Sequence, residues 1–318
     1  LEALAGQAAQ ALARATHLET EQTIAETLQR SVLPATLPRV EGAQLAARYL
    51  PGTAELDVGG DWYDVISLPD ERIGLVVGDV VGKGVEAAAA MAQLRNGLRA
   101  FSLDRLKPAS ALARLNRLAG ESLETTFATL TYAVVDPRTR ICRLSSAGHP
   151  PPVIAYPDGR VELLEGGRGV PLGVGPATRY RQMTVELPLG SILLLYSDGL
   201  VERRGRSIDD GLERLRLAVA EGPRNPERLV DHVVDRLVGS TERADDIALL
   251  AFRLLAVAPE PLELRIPSDV NSLELVRDSL RAWLEGTPAS TADAHDVVLS
   301  AWEACANAVE HAHDHDGG

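Results

Sequence analysis

An aspartate next to an apolar strand and beside a turn recurs along this chain, and no other feature constrains its fold as much. GLVVGDVVGKG (residues 74–84) delivers Asp79 in this way. ILLLYSDGLVE delivers Asp198, ELDVGGDWYDV carries Asp61, and Asp245 and Asp246 stand immediately before IALLAF. An ionised carboxylate resists burial unless something pairs with it. Taken singly, each is a turn former or helix cap: Asp79 would cap a helix starting near Gly84, and Asp245 a turn. Repetition at four places weakens that reading. Side chains at strand ends lie on the rim of a sheet, and four carboxylates share a rim only if their charge is neutralised. Hard cations such as Mg²⁺ or Mn²⁺ do this through carboxylate and water oxygens. GDVVGKG is not a phosphate loop of the Walker kind. That pattern needs four residues before GK and then Ser or Thr, whereas here there are three, and Gly84 follows Lys83.

The surrounding pattern is strand-rich. Period-two and apolar runs predict strands at 44–50, 54–66, 72–80, 127–135, 140–147, 152–156, 161–164, 180–187, 191–197 and 246–253, with Pro157-Asp158-Gly159 as one tight turn. Helical spacing predicts helices at 84–103, 108–124, 208–220 and 226–238. Strands joined by short turns, with helices in blocks, predict an α+β fold: two antiparallel sheets flanked by helices. Residues 34–255 form this domain.

Residues 1–33 read as a linker helix whose weak seam, Leu4, Ala8, Leu12, Ala15, Leu18, Ala25, Leu28 and Val32, fits packing on its own domain or a homodimer equally well. Pro34 and Pro38 stop it. Pro259 and Pro261 mark a second boundary. Within 260–318, LELRI predicts a strand, Ser268 or Asp269 a cap, and the residues that follow an amphipathic helix. A further helix spans 291–312, with Val298, Trp302, Cys305 and Val309 as its apolar face.

A net charge of −13 argues against a nucleic-acid partner and against anionic membranes. No apolar run approaches the roughly 18 residues of a membrane span, and no signal peptide opens the chain. Cys142 and Cys305 lie far apart without metal-site spacing, which fits a reducing cytoplasm. A chain beginning on Leu reads as a piece of a longer protein.

GGDWYD, GDVVGKG, SAGHPPP (146–152), YSDGLVE and ADDIALL, in this order and spacing, resemble the metal-dependent PPM-type (protein phosphatase 2C-like) phosphatases, specifically the bacterial SpoIIE/RsbU branch, over residues 22–254. The resemblance implies an α-β-β-α sandwich in which Asp61, Asp79, Asp198 and Asp245 hold two Mn²⁺ or Mg²⁺ ions. Asp79 would bridge them, the Val80 carbonyl would complete one shell, and Asp246 would share or exchange the role of Asp245. Asp64 is a candidate supporting or third-metal carboxylate. Animal-type members resemble Asp-Gly-His after the bridging aspartate. Here Val80-Val81-Gly82 follows Asp79, so no histidine acid is implied there. His149, ahead of three prolines, reads as structural.

WEACANAVEHA places Glu303 and Asn307 one helical turn apart, with Glu310 and His311 continuing the face. By pattern this is a solvated polar face. It also resembles the N-box of Bergerat-fold ATPases of the anti-sigma serine kinase (RsbW-like) type, which implies Asn307 as a Mg²⁺-ATP ligand and Glu303 as base in a complete module; the glycine-rich boxes are not present in the sequence. Together the resemblances imply a cytoplasmic serine/threonine phosphatase acting on a phosphorylated STAS-domain anti-sigma-factor antagonist, with a sigma factor as a second candidate partner. The alternative is an inactive binding module that sequesters a sigma factor or antagonist.

Overall fold

Successive side chains of a strand point to opposite faces, so a strand apolar on both must be covered twice. Residues 73–80 are such a strand. Ile73, Leu75 and Val77 join one buried cluster, while Val76 and Val80 join another. The computed structural model describes residues 10, 14, 16, 20, 23–24, 27, 33–52, 59–122, 127–175, 178–203, 205–239, 245–256, 262–265, 272–285 and 291–312. The helix expected over 1–33 lies mostly outside these, as do residues 54–58 of the second expected strand, Pro259 and Pro261, and the 268–269 cap.

Two compact units result, Leu1–Leu255 and Ala256–Gly318. In the first, the strands are β1 (Ala43–Leu50), β2 (Asp61–Ser67), β3 (Ile73–Val80), β4 (Ala128–Asp136), β5 (Ile141–Ala147), β6 (Val153–Ala155), β7 (Val161–Leu163), β8 (Arg168–Gly169), β9 (Met183–Glu186), β10 (Ile192–Tyr196) and β11 (Ile247–Leu254). The helices are α1 (Val85–Leu103), α2 (Pro108–Ser122), α3 (Ile208–Glu221) and α4 (Pro226–Leu237). One sheet has the order β1-β11-β10-β6-β7, and the other β2-β3-β4-β5-β8 with β9 also on β5. Every pairing is antiparallel except β5 with β8.

Three apolar layers follow from the alternation. Trp62, Ile66, Val76, Leu130 and Tyr132 face α1 and α2, meeting Met91, Leu94, Leu98, Leu112 and Leu115. Ile192, Leu194, Leu249 and Ala251 face α3 and α4, meeting Leu215, Val219, Leu229 and Val233. Between the sheets lie Val65, Leu75, Val77, Leu144, Leu193, Leu195, Leu250 and Phe252. Each fully buried Val, Leu, Ile, Met or Phe side chain among them contributes roughly 1.5–3 kcal/mol. The later helices are cleanly started: Ser207 accepts from the Asp209 amide (3.2 Å) and Asn225 from the Arg228 amide (3.1 Å), with Pro226 opening the first turn. This is the α+β sandwich of two helix-flanked sheets. The two-residue β8 was not anticipated, because so short a pairing leaves no periodic trace. The expected strand over 180–187 is shorter, since only Met183–Glu186 ladder with β5.

In the second unit α5 (Ser272–Glu285) and α6 (Thr291–Ala312) are both present. The strand expected from LELRI is not: residues 262–265 carry no strand pairing. The expected apolar face of α6 is only partly covered. Val298 and Val309 are buried, but Trp302 is 38 % exposed. No helix among the described residues is long and apolar enough to cross a membrane.

Candidate metal centre

Alternation along β3 turns Asp79 to the same face as Leu75 and Val77, into the space between the sheets. β2 runs beside it in a register that pairs Asp61 directly with Asp79. On the facing sheet Leu193 and Leu195 point inward, so Ser197 continues that face as β10 ends and Asp198 follows at the turn. Asp61, Asp79 and Asp198 thereby converge, each offering a carboxylate oxygen within 4.8 Å of the others. Asp61 is buried, and the other two are half-buried.

The Ser197 hydroxyl donates to Asp61 Oδ2 (2.6 Å) and accepts from the Ala248 amide (2.9 Å), which fixes the Asp61 carboxylate across the sheets. Burial and the Asp79 charge raise the Asp61 pKa, with the Ser197 hydrogen bond opposing. Burial, then the charges of Asp198 and Asp245, push Asp79 up to about 7. Burial and Asp245 likewise raise Asp198. Among the described residues none of the three has an arginine or lysine partner. All-oxygen donors that repel one another, half out of water and without a basic counter-ion, fit a hard divalent cation.

Gly60 lies so close to Val80 that a Cβ would collide with the Val80 carbonyl oxygen. That carbonyl is therefore held at the rim beside Asp61 and Asp79. Gly199 packs the same way against the Asp246 carbonyl. Replacing Gly199 with alanine is expected to cost about 1–3 kcal/mol by overpacking and to weaken Mn²⁺ binding, as read by urea unfolding and metal titration.

The paired aspartates before β11 divide. Asp246 is buried; its carboxylate accepts from the Tyr49 hydroxyl and from the Gly52 amide (2.7 Å). Asp245 is exposed and accepts from the amide of its neighbour Asp246 (3.0 Å), while its charge reaches Asp79 and Asp198. Neither belongs to the three-carboxylate group. Asp79 caps no helix: the N-cap of α1 is Gly84, without a side-chain bond.

The expectation for Asp64 is corrected. Three residues from Asp61, it lies on the opposite face of β2 and turns towards α1. There Arg99 grips it twice (2.6 and 2.7 Å) and Arg95 approaches to 3.1 Å. It is an anchor for the helix, not a ligand.

His149 is structural. Its Nδ1 pairs with the Thr129 hydroxyl (2.8 Å) and its Nε2 with the Tyr196 carbonyl (3.0 Å), joining β4 to β10 next to the centre. Burial drives its pKa down to about 3. An unfolded chain takes up that proton near pH 6.5, so this group's stabilisation is complete above that pH. It falls by roughly 1.4 kcal/mol per pH unit on acidification towards 3. Urea unfolding at pH 6.5 and 5.0 is expected to differ by about 2 kcal/mol from His149 alone, a difference that His149→Asn removes.

Ser197, Tyr49 and Thr129 were not picked out from the sequence. Glu303 and Asn307 lie one turn apart on α6, both exposed. The side chains of Glu310 and His311 lie outside the described residues.

A helix-covered double sheet with acidic residues on one rim defines a phosphatase 2C-like fold. The Stage II sporulation protein E (SpoIIE) family model matches residues 69–255, and the histidine kinase-like ATPase domain model matches residues 266–318. The chain belongs to the SpoIIE family. It is 28% identical to the phosphoserine phosphatase RsbU of Bacillus subtilis over 189 residues, 59% of this chain and 55% of the relative. It is 26% identical to protein IcfG of Synechocystis over 256 residues, 70% of this chain and 40% of the relative. The chain thus spans about half the length of these curated relatives. The crystal structure of the RsbU and RsbW domains of Rv1364c from Mycobacterium tuberculosis matches with 35% identity and a TM-score of 0.65, over 88% of this chain and 78% of that one. The phosphatase domain and regulatory fragment of SpoIIE from Bacillus subtilis share the fold, with a TM-score of 0.57 at 19% identity over 68% and 64% of the two chains.

Proposed function

We propose that this chain is a divalent-metal-dependent protein serine/threonine phosphatase. Its substrate is a phosphorylated STAS-domain antagonist of an anti-sigma factor, in a cytoplasmic partner-switching pathway. The observation that carries the activity is the convergence of Asp61, Asp79 and Asp198 within 4.8 Å. The name of the RsbU relative, a phosphoserine phosphatase, supports the reaction class. The pairing of RsbU and RsbW domains in the Mycobacterium tuberculosis structure supports a kinase-like partner module on the same chain.

In this reading Asp61, Asp79, Asp198 and the Val80 carbonyl hold two Mn²⁺ or Mg²⁺ ions, with Asp245 and Asp246 at the margin. Bound there, such ions activate water and clamp phosphoryl oxygens. The chain's own residues prepare the place. Ser197 sets the Asp61 carboxylate, Tyr49 and the Gly52 amide hold Asp246, and the layer of Val77 and Leu195 keeps bulk water from behind the carboxylates. Mn²⁺-dependent hydrolysis of p-nitrophenyl phosphate tests the proposal. Wild-type protein turns over, and Asp198→Asn loses roughly 10²-fold or more. Absence of turnover in wild type would instead favour the metal-free binding module.

A further inference from the structure

Singly exposed apolar side chains need no explanation, but a cluster beside a reaction centre does. Val81, Phe127, Val170 and Val174 are 57 %, 46 %, 45 % and 55 % exposed. Backbone bonds set them along one rim. The Val81 amide donates to the Phe127 carbonyl (2.9 Å), two residues beyond Asp79. Ala128, next to Phe127, exchanges two hydrogen bonds with Leu172 (3.3 and 2.8 Å), and Gly169, next to Val170, accepts from Gly148 (2.8 Å).

The loop presenting Val174 is clamped from beneath. Asn116 of α2 is buried; its Oδ1 accepts from the Gly173 amide (2.9 Å), and its Nδ2 donates to the Gly175 carbonyl (2.7 Å). Val174 is thus held outward by a loop already in place, so little ordering entropy remains to be lost on binding. An exposed cation accompanies the patch, Arg168 two residues before Val170. In a chain of net charge −13 it offers an anionic partner a favourable approach.

We propose that this rim is the docking surface for the phosphoprotein substrate, and that it favours phosphoserines flanked by apolar side chains on the partner's surface. The inference rests on the phosphatase reading above. A phosphoserine that reaches Asp79 brings its neighbours onto Val81 and Phe127, because these adjoin Asp79 and its strand partner Thr129.

The test uses the full chain with Mn²⁺ and three substrates: p-nitrophenyl phosphate, a phosphoserine peptide with leucines flanking the phosphoserine, and the same peptide with serines there. Wild type is expected to prefer the leucine peptide by about tenfold in kcat/KM. The variant V170D/V174D is expected to lose that preference through KM while p-nitrophenyl phosphate turnover stays at the wild-type level, which also shows that it folds. Equal use of both peptides by wild type would overturn the proposal. So would a preference retained in V170D/V174D, including the case in which the variant only turns a dimer into a monomer in light scattering, which would make the patch a contact between copies. No p-nitrophenyl phosphate turnover by wild type would overturn the phosphatase reading itself, and a flat peptide profile with intact p-nitrophenyl phosphate turnover would overturn the docking surface alone.

Discussion

Replacing Asp79 with asparagine is expected to abolish Mn²⁺-dependent phosphate-ester hydrolysis, by roughly 10³-fold or more, while making the metal-free protein more stable at pH 8. The two effects have one cause. Burial and the charges of Asp198 and Asp245 push the Asp79 carboxyl up to about 7. A carboxyl raised in the folded state stabilises fully below its ordinary value near 3.8, and that stabilisation is lost as pH rises through about 7. At roughly 1.4 kcal/mol per pH unit the ceiling is about 4 kcal/mol. Asparagine removes this penalty together with the carboxylate that would hold the metal. Thermal melts of chelated protein are expected to show Asp79→Asn above wild type at pH 8 and equal to it near pH 4. Mn²⁺ then raises the melting temperature of wild type alone. A variant less stable than wild type at pH 8 without metal would contradict the electrostatic account.

Asp64→Ala has the largest expected effect on stability, with no ligand removed. Asp64 is 1 % exposed and neutralises Arg95, whose side chain is 15 % exposed, and Arg99. Deleting the carboxylate leaves two guanidinium groups facing the β2–α1 interface without a counter-charge, a loss of about 3–5 kcal/mol for a broken buried pair. Urea unfolding measures it directly. Asp64→Asn keeps an acceptor for Arg99 and is expected to fall between alanine and wild type. A loss in Asp64→Ala below about 1 kcal/mol, the range of an exposed pair, would show that α1 is held by its apolar face alone.

What the sequence revealed and what it hid divide along physical lines. The sandwich was readable because its strands are apolar on alternating or on both faces and its helices carry a separate period. Asp61, Asp79 and Asp198 stood out because each stands at one end of an apolar strand beside glycine. The groups that fix their geometry did not. Ser197 meets Asp61 across 136 positions and Tyr49 meets Asp246 across 197, and no local pattern encodes such a pairing. Asp64 could have been excluded from the sequence. In DWYDV it lies an odd number of residues from Asp61, and period-two alternation sends the two to opposite faces. The same parity separates Asp245 from Asp246 and turns only the latter inward, with Ala248 and Leu250. The strand expected from LELRI has apolar alternation but no partner strand among the described residues, and a strand is defined by its partner.

The central claim, that three carboxylates from both sheets form one divalent-metal site, is tested most directly by anomalous diffraction from a manganese-loaded crystal. The account predicts manganese peaks between the sheets at roughly 2.0–2.6 Å from carboxylate oxygens of Asp61, Asp79 and Asp198. Manganese bound elsewhere, with those three carboxylates touching only protein and water, would contradict it.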